Sequence, residues 1–176
     1  MVTVVLATSG KAIVLNTSPT LALVAALGSL DLLGKIYQRV LFSDIVAQEI
    51  RHAGRLGFGV DAFEAALKTG VPFELRELSQ AIAPWLATAL DAGEASVIAL
   101  ANQANVPLVA IDELAGRRVA RLNGLQVTGS LGILLKLKAA RHIPEIAPCL
   151  ARMRAQGIWL SADLQAQALL MAGENN

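Results

Sequence analysis

Five polar residues stand where short apolar stretches end or where helices begin: Asn16, Glu49, Glu94, Asp112 and Ser130. Asn16 follows Ala12-Ile13-Val14-Leu15, Asp112 follows Pro107-Leu108-Val109-Ala110-Ile111, and Ser130 comes just after Leu125-Gln126-Val127. Glu49 and Glu94 fall in the first turns of candidate helices. In a parallel sheet such positions can converge on one edge, at the carboxyl ends of the strands, where functional crevices form. Carboxylates gathered there repel one another: two unit charges about 4 Å apart cost about 4 kcal/mol at an effective dielectric near 20. A divalent cation removes that cost. An all-oxygen donor set without Cys or His suits Mg²⁺ or Mn²⁺ better than zinc. Such an ion activates water and stabilises charge in phosphodiester hydrolysis.

A purely structural reading of the same residues stands beside this one. Asp112 can cap a helix that starts at Glu113. Asp91 and Glu94 have the spacing of a capping box, Glu49 reads equally as a solvated helix residue, and acids are favoured near helix N-termini in any case. Arg117, Arg118 and Arg121 share one helix. Arg117 and Arg121, four apart, can meet a nucleic-acid backbone near Asp112, or else form a solvated face with a Glu113–Arg117 pair. His52 and His142 are isolated and expected at the surface. The sequence carries no P-loop, Gly-x-Gly-x-x-Gly or Cys-x-x-Cys signature.

The elements that must position these residues alternate. Residues 12–15, 39–42, 107–111 and 125–127 read as short buried strands, and the charged run 72–78 as an edge strand. Ser18 is the expected N-cap of a helix with Pro19 in its first position, running towards Gly28. A short helix is expected over 29–33. Ser43 or Asp44 should cap the next helix, and the glycines within 53–60 mark a loop. Further helices are expected over 61–68, 84–90 and from Asp91 to about Asn105. Another follows Glu113 and stops at Asn123-Gly124. One opens at Thr128-Gly129-Ser130, one runs from Pro144 to Gln156, and a last one is capped by Ser161 or Asp163. Alternating strands and helices predict an α/β fold with a mainly parallel sheet.

At 176 residues the chain fits one domain, with residues 1–11 as an N-terminal extension and 173–176 as a polar tail. Hydrophobic residues make up 55% and charged ones 16%, apolar enough that a partner or a second copy is expected to cover some surface. A net charge of +1 offers no global attraction to nucleic acid, so any such site must be a local patch. The single cysteine, Cys149, excludes an intramolecular disulfide framework, suits a reducing cytoplasm and is expected to be buried. Residues 12–30 lack charge, but Asn16-Thr17-Ser18-Pro19-Thr20 interrupts them, so no membrane span is expected. The N-terminus has no basic start of a secretory signal.

Taken together, several short segments resemble the PIN-like domains. Asn16-Thr17-Ser18-Pro19 after an apolar strand is similar to their Asp-Thr-Ser-Pro start, and Leu90-Asp91-Ala92-Gly93-Glu94-Ala95 to their Gly-Glu-Ala segment. Ile111-Asp112-Glu113, Ala115-Gly116-Arg117 and Thr128-Gly129-Ser130-Leu131-Gly132 resemble the later motifs, and Gly157-Ile158-Trp159-Leu160-Ser161 the tail of the prokaryotic DUF3368 branch. The resemblance spans about residues 12–172. It implies a three-layer α/β/α fold, Mg²⁺- or Mn²⁺-dependent endoribonuclease activity of the VapC toxin type, an RNA substrate, a small antitoxin partner and a homodimer. By position it makes Glu49, Glu94 and Asp112 the acidic site residues, Asn16, Glu94 and Asp112 the metal ligands, and Ser18, Glu113 and Ser130 accessory groups. Arg117, Arg118 and Arg121 would face nucleic acid.

Position 16 departs from that pattern, holding asparagine where the family has its first metal-binding aspartate. An amide oxygen can ligate a hard cation but brings no charge, and it cannot act as a general base. The expectation is therefore weak or absent nuclease activity. The alternative is a non-catalytic PIN-like module that binds RNA or protein.

Overall fold

A computed structural model describes residues 12–53 and 58–174. The expected extension at 1–11, part of the 53–60 loop, and Asn175 and Asn176 lie outside the described residues. Five strands form one all-parallel sheet: β1 (Ala12–Leu15), β2 (Arg39–Ser43), β3 (Phe73–Arg76), β4 (Leu108–Ala110) and β5 (Gln126–Thr128), in the order β3-β2-β1-β4-β5. Nine α-helices occur among the described residues: α1 (Thr17–Leu27), α2 (Asp44–Ala53), α3 (Val60–Thr69), α4 (Pro84–Ala89), α5 (Ala92–Gln103), α6 (Leu114–Leu122), α7 (Ser130–Ala139), α8 (Ala147–Ala155) and α9 (Ala162–Ala172). The result is a three-layer α/β/α fold. No described helix is long and apolar enough to cross a membrane.

The three inner strands, β2, β1 and β4, are apolar on both sides because helices cover both faces of the sheet, whereas the edge strands β3 and β5 carry exposed polar residues. Ile13, Val14, Leu15, Val40, Leu41, Phe42 and Val109 are fully buried. Each such side chain contributes roughly 1.5–3 kcal/mol by leaving water. Phe42 meets Phe63 of α3 edge to face, with centroids 5.0 Å apart. Helix α5 is buried from Gly93 to Ala101 and packs on β1, β2 and β4. A helix apolar all round belongs in the interior. His52 and His142 are exposed and Cys149 is buried, as the sequence predicts.

The strand order creates the place where a ligand can bind. From β1 the chain builds outward through β2 to β3, then returns across the sheet to lay β4 on the other side of β1. The connections leave β1 and β4 in opposite directions, so a crevice opens at their carboxyl ends. Asn16 directly follows β1, and Asp112 lies two residues beyond β4. The Asn16 N–H donates to Ala110 O at 3.0 Å and ties the two strand ends together.

Three local expectations are corrected. Ser18 is not a cap: α1 begins at Thr17 with Asn16 as N-cap, and the Ser18 hydroxyl is turned to Glu113 instead. Pro19 thus sits third in the helix, still within the first turn, where no intrahelical N–H bond is lost. The helix expected at 29–33 is a 3₁₀ turn over Asp31–Lys35. The helix expected from Pro144 begins at Ala147, because its cap comes from far away. The Glu174 carboxylate accepts the N–H groups of Ile146 (2.7 Å) and Ala147 (2.8 Å) and pairs with Lys138 at 2.6 Å. Glu174 is therefore an anchor and not part of a loose tail. At α2 the expectation of a Ser43 cap holds: its Oγ accepts the Val46 N–H at 3.0 Å.

The edge strand gives a pH prediction. Arg39 of β2 holds Glu74 of β3 through two bonds of 2.7 and 3.0 Å, and Arg76 adds two more of 3.0 and 2.6 Å. The Arg39 guanidinium beside it holds Glu74 down at about 2, against an ordinary 4.5. A depressed carboxyl contributes stability that is present above its unfolded value and lost as pH falls through its folded value. Arg39 is 42% exposed, so screening limits the contribution to about 1 kcal/mol. Glu74→Gln should lower the melting temperature at pH 7, and the gap to wild type should close between about pH 4.5 and 2.

Candidate metal centre

The crevice is built from the N-terminal ends of four helices. Asn16 caps α1, Asp91 caps α5, Glu113 precedes α6, and Gly129-Ser130 starts α7. Asp91 accepts the Glu94 N–H at 2.8 Å, the first half of the capping box. Glu94 keeps its Oε1 buried without a hydrogen-bond partner, although the backbone N–H groups of Asp91 and Gly116 lie close enough to the carboxylate to favour its ionised form. Asn16 and Glu94 are each only 4% exposed. Among the described residues, four buried side-chain oxygens lack any partner, and three of them belong here: Asn16 Oδ1, Glu94 Oε1 and Glu113 Oε2. Buried oxygens are ordinarily satisfied, and leaving one bare costs about 1–3 kcal/mol. Three such oxygens at one crevice are donors that a positively charged group could satisfy.

Asp112 is held rather than bare. Its Oδ1 accepts the Ser130 N–H at 2.8 Å. That N–H is in the first turn of α7 and has no intrahelical partner. Ser130 is itself buried, at 2% exposure. Glu113 accepts the Ser18 hydroxyl and Glu49 accepts the Thr17 hydroxyl, so two neighbouring residues of α1 reach acids on opposite flanks. Burial pushes the Glu94 carboxyl above the ordinary range, and the charges of Asp91 and Glu113 push the same way. Burial also raises Asp112, opposed by the Ser130 N–H and hydroxyl; Glu113 adds to the rise and Arg117 opposes it. Burial thus works against the charged form of both carboxyls, and a nearby positive charge would favour it.

Three glycines allow this closeness. A Cβ at Gly93 would strike the Glu49 carboxylate, one at Gly116 the Glu94 carboxylate, and one at Gly129 Asp112 Oδ1. Gly93, Gly116 and Thr17 were not predicted as site residues. Each is the immediate neighbour of a site residue or lies within a matched motif, which is the only trace of this in the sequence.

A cleft of about 770 Å³ opens beside the acids. Ser18, Asp112, Glu113, Arg117 and Ser130 line it, together with Leu21, Leu131, Trp159 and Leu164. Asn16 and Glu94 lie behind this wall. Glu49 does not line this cleft: it borders a shallow depression with Gln48, His52 and Ala53, with its carboxylate against Gly93 and Thr17. Arg118 and Arg121 are exposed on α6. The Glu113–Arg117 pair does not occur among the described ion pairs. Arg117 Nη1 turns inward and donates to Ile111 O (2.8 Å) and Thr128 O (3.0 Å).

The sequence pattern of the DUF3368 family, a PIN domain, matches residues 12–174. The chain belongs to the PIN-domain family. No curated protein matches it. PIN domains generally use divalent metals, and the oxygens of this PIN domain suit one: Asn16 Oδ1, Glu94 Oε1, Glu113 Oε2 and Asp112 are all hard donors. No trio of His, Cys, Asp or Glu side chains among the described residues is grouped to hold an ion. Asn16 offers a buried, unpartnered amide oxygen, which is neutral.

Proposed function

We propose that this PIN domain is a Mg²⁺- or Mn²⁺-dependent endoribonuclease of the VapC toxin type, held to low activity by Asn16. The observation that carries the reading is the set of buried, unpartnered oxygens at the crevice between β1 and β4. When bound there, the cation would lower the pKa of water and offset charge on the scissile phosphate. Glu94 and Asp112 supply the two charged donors, Asn16 a neutral one, and Ser130 aims Asp112 through its N–H. Glu113, with Oε1 held by Ser18 and Oε2 free, is the accessory acid nearest both. Glu49 keeps one oxygen on Thr17 and has Oε1 to accept a proton from water. Arg118 and Arg121 face solvent where an RNA backbone can meet them.

The proposed setting is cytoplasmic, with a small antitoxin and a second copy of the chain as partners. Exposed Leu114, Trp159, Leu170 and Met171 support a protein partner, being more apolar surface than a solvated face requires.

Asn16 itself favours a second reading, a non-catalytic module that binds RNA or protein, because it removes one charge from the donor set. RNA cleavage with Mn²⁺ separates the two. Under the first reading wild type cleaves slowly and Asp112→Asn not at all, since the variant keeps the Ser130 acceptor but loses the charge. Cleavage by Asp112→Asn at the wild-type rate would sink the assignment of Asp112.

A further inference from the structure

Arg117 is the cation of the cleft whose bonding is visible, and it is committed inward. Its Nη1 donates to Ile111 O at 2.8 Å and to Thr128 O at 3.0 Å. Ile111 precedes Asp112, and Thr128 is the last residue of β5, two before Ser130. The ladder itself reaches this far only through Ile111 N–H to Thr128 O at 3.1 Å. Beyond it the two chains diverge into α6 and α7, and the guanidinium fills the gap with one nitrogen shared by two carbonyls. Charge-assisted bonds of this kind are roughly twice as strong as neutral ones. Between the strand ends lies Gly129, where a Cβ would sit 3.0 Å from Arg117 Nη1 on one side and strike Asp112 on the other.

We propose that Arg117 is a positioning residue: by clamping the carbonyl ends of β4 and β5 it fixes Asp112 against the Ser130 N–H, and it is not an RNA contact. The inference deepens the metal-site reading of Asp112, but its geometry stands in the metal-free chain. Arg118 and Arg121, both exposed, are left as the RNA-facing residues of α6.

The experiment is amide hydrogen exchange on the full metal-free chain, comparing wild type, Arg117→Gln and Arg117→Lys. It is paired with Mn²⁺ calorimetry and with single-stranded RNA binding across a salt series. As a first-turn amide, the Ser130 N–H owes its protection to Asp112 alone. Arg117→Gln should speed its exchange at least about tenfold while core amides such as Val109 keep their rates, with Arg117→Lys recovering part of the protection. The Mn²⁺ affinity of Arg117→Gln should fall about tenfold, in the range of other supporting residues around a metal. Its RNA salt slope should match wild type, whereas Arg118→Gln and Arg121→Gln should each reduce that slope by about one.

Unchanged Ser130 exchange in Arg117→Gln overturns the proposal, as does a salt slope reduced by one with Mn²⁺ affinity intact. If Arg117→Gln fails to fold, Arg117→Lys decides by the same Ser130 readout. Faster Ser130 exchange with no Mn²⁺ binding in any variant, wild type included, supports the clamp and rejects the metal reading of Asp112.

Discussion

Asn16→Asp should raise Mn²⁺ affinity and Mn²⁺-dependent RNA cleavage by at least about tenfold, the largest gain expected from any single change. The new carboxylate would replace an amide whose oxygen is already buried and unpartnered, so no rearrangement is needed to present it. The same change should destabilise the metal-free protein. Position 16 is 4% exposed, burial already pushes the Glu94 carboxyl above its ordinary range, and another buried charge without a partner is costly. Thermal melts should therefore separate the two states. Asn16→Asp should melt below wild type with chelator and gain more than wild type on adding Mn²⁺, because a ligand stabilises in proportion to its affinity for the folded form. Equal cleavage by wild type and Asn16→Asp would show that asparagine does not limit the site.

Gly116→Ala should give a large loss of metal affinity without changing any charged or ligating group. In the middle of a helix this exchange normally stabilises by up to about 1 kcal/mol. Here the added Cβ would strike the Glu94 carboxylate and lie 2.8 Å from Ile111 Cγ2. Ile111 is fully buried and β-branched and has nowhere to go. The end of the Glu94 side chain is the part that can move, and moving it takes Oε1 away from the crevice. The expected result is a melting temperature a few degrees lower, where the helix rule alone predicts a rise. With it should come a loss of Mn²⁺ affinity of tenfold or more, by about the factor that a displaced ligand-supporting group costs. Calorimetry beside thermal melts tests both halves. A stabilised Gly116→Ala that binds Mn²⁺ as wild type does would mean that Glu94 has room the structure does not give it.

Local chemistry made most of the fold legible in the sequence. Three strands are short apolar runs bounded by turn residues, the fourth expected one is the half-exposed edge strand Gln126–Thr128, and α5, α6 and α7 begin at polar residues directly after loops or strands. The strand-end rule also found Asn16 and Asp112, because in a parallel sheet the position after a strand is fixed by topology alone. What stayed hidden depends on side chains meeting across the chain. Ser18 looks like a cap until Glu113, 95 residues later, takes its hydroxyl. The start of α8 is set by Glu174 and not by Pro144. Arg117 reads as a surface cation by its spacing, yet two carbonyls from different strands turn it inward. Glu49 matches the family's acid by order, but its meeting with Thr17 and with Gly93 is a tertiary fact. The close approaches at Gly93 and Gly116 are likewise invisible to periodicity, which sees only a small residue in a helix.

The proposed metal site depends on a cation joining the unpartnered oxygens of Asn16, Glu94 and Glu113. Its most direct test is calorimetric titration of Mn²⁺ into the full chain and into Glu94→Gln. Glutamine keeps the shape and an acceptor oxygen while removing the charge. The prediction is sub-millimolar binding by wild type that disappears in Glu94→Gln, with both proteins folded. Absence of binding in wild type, or equal binding by the two, would contradict it.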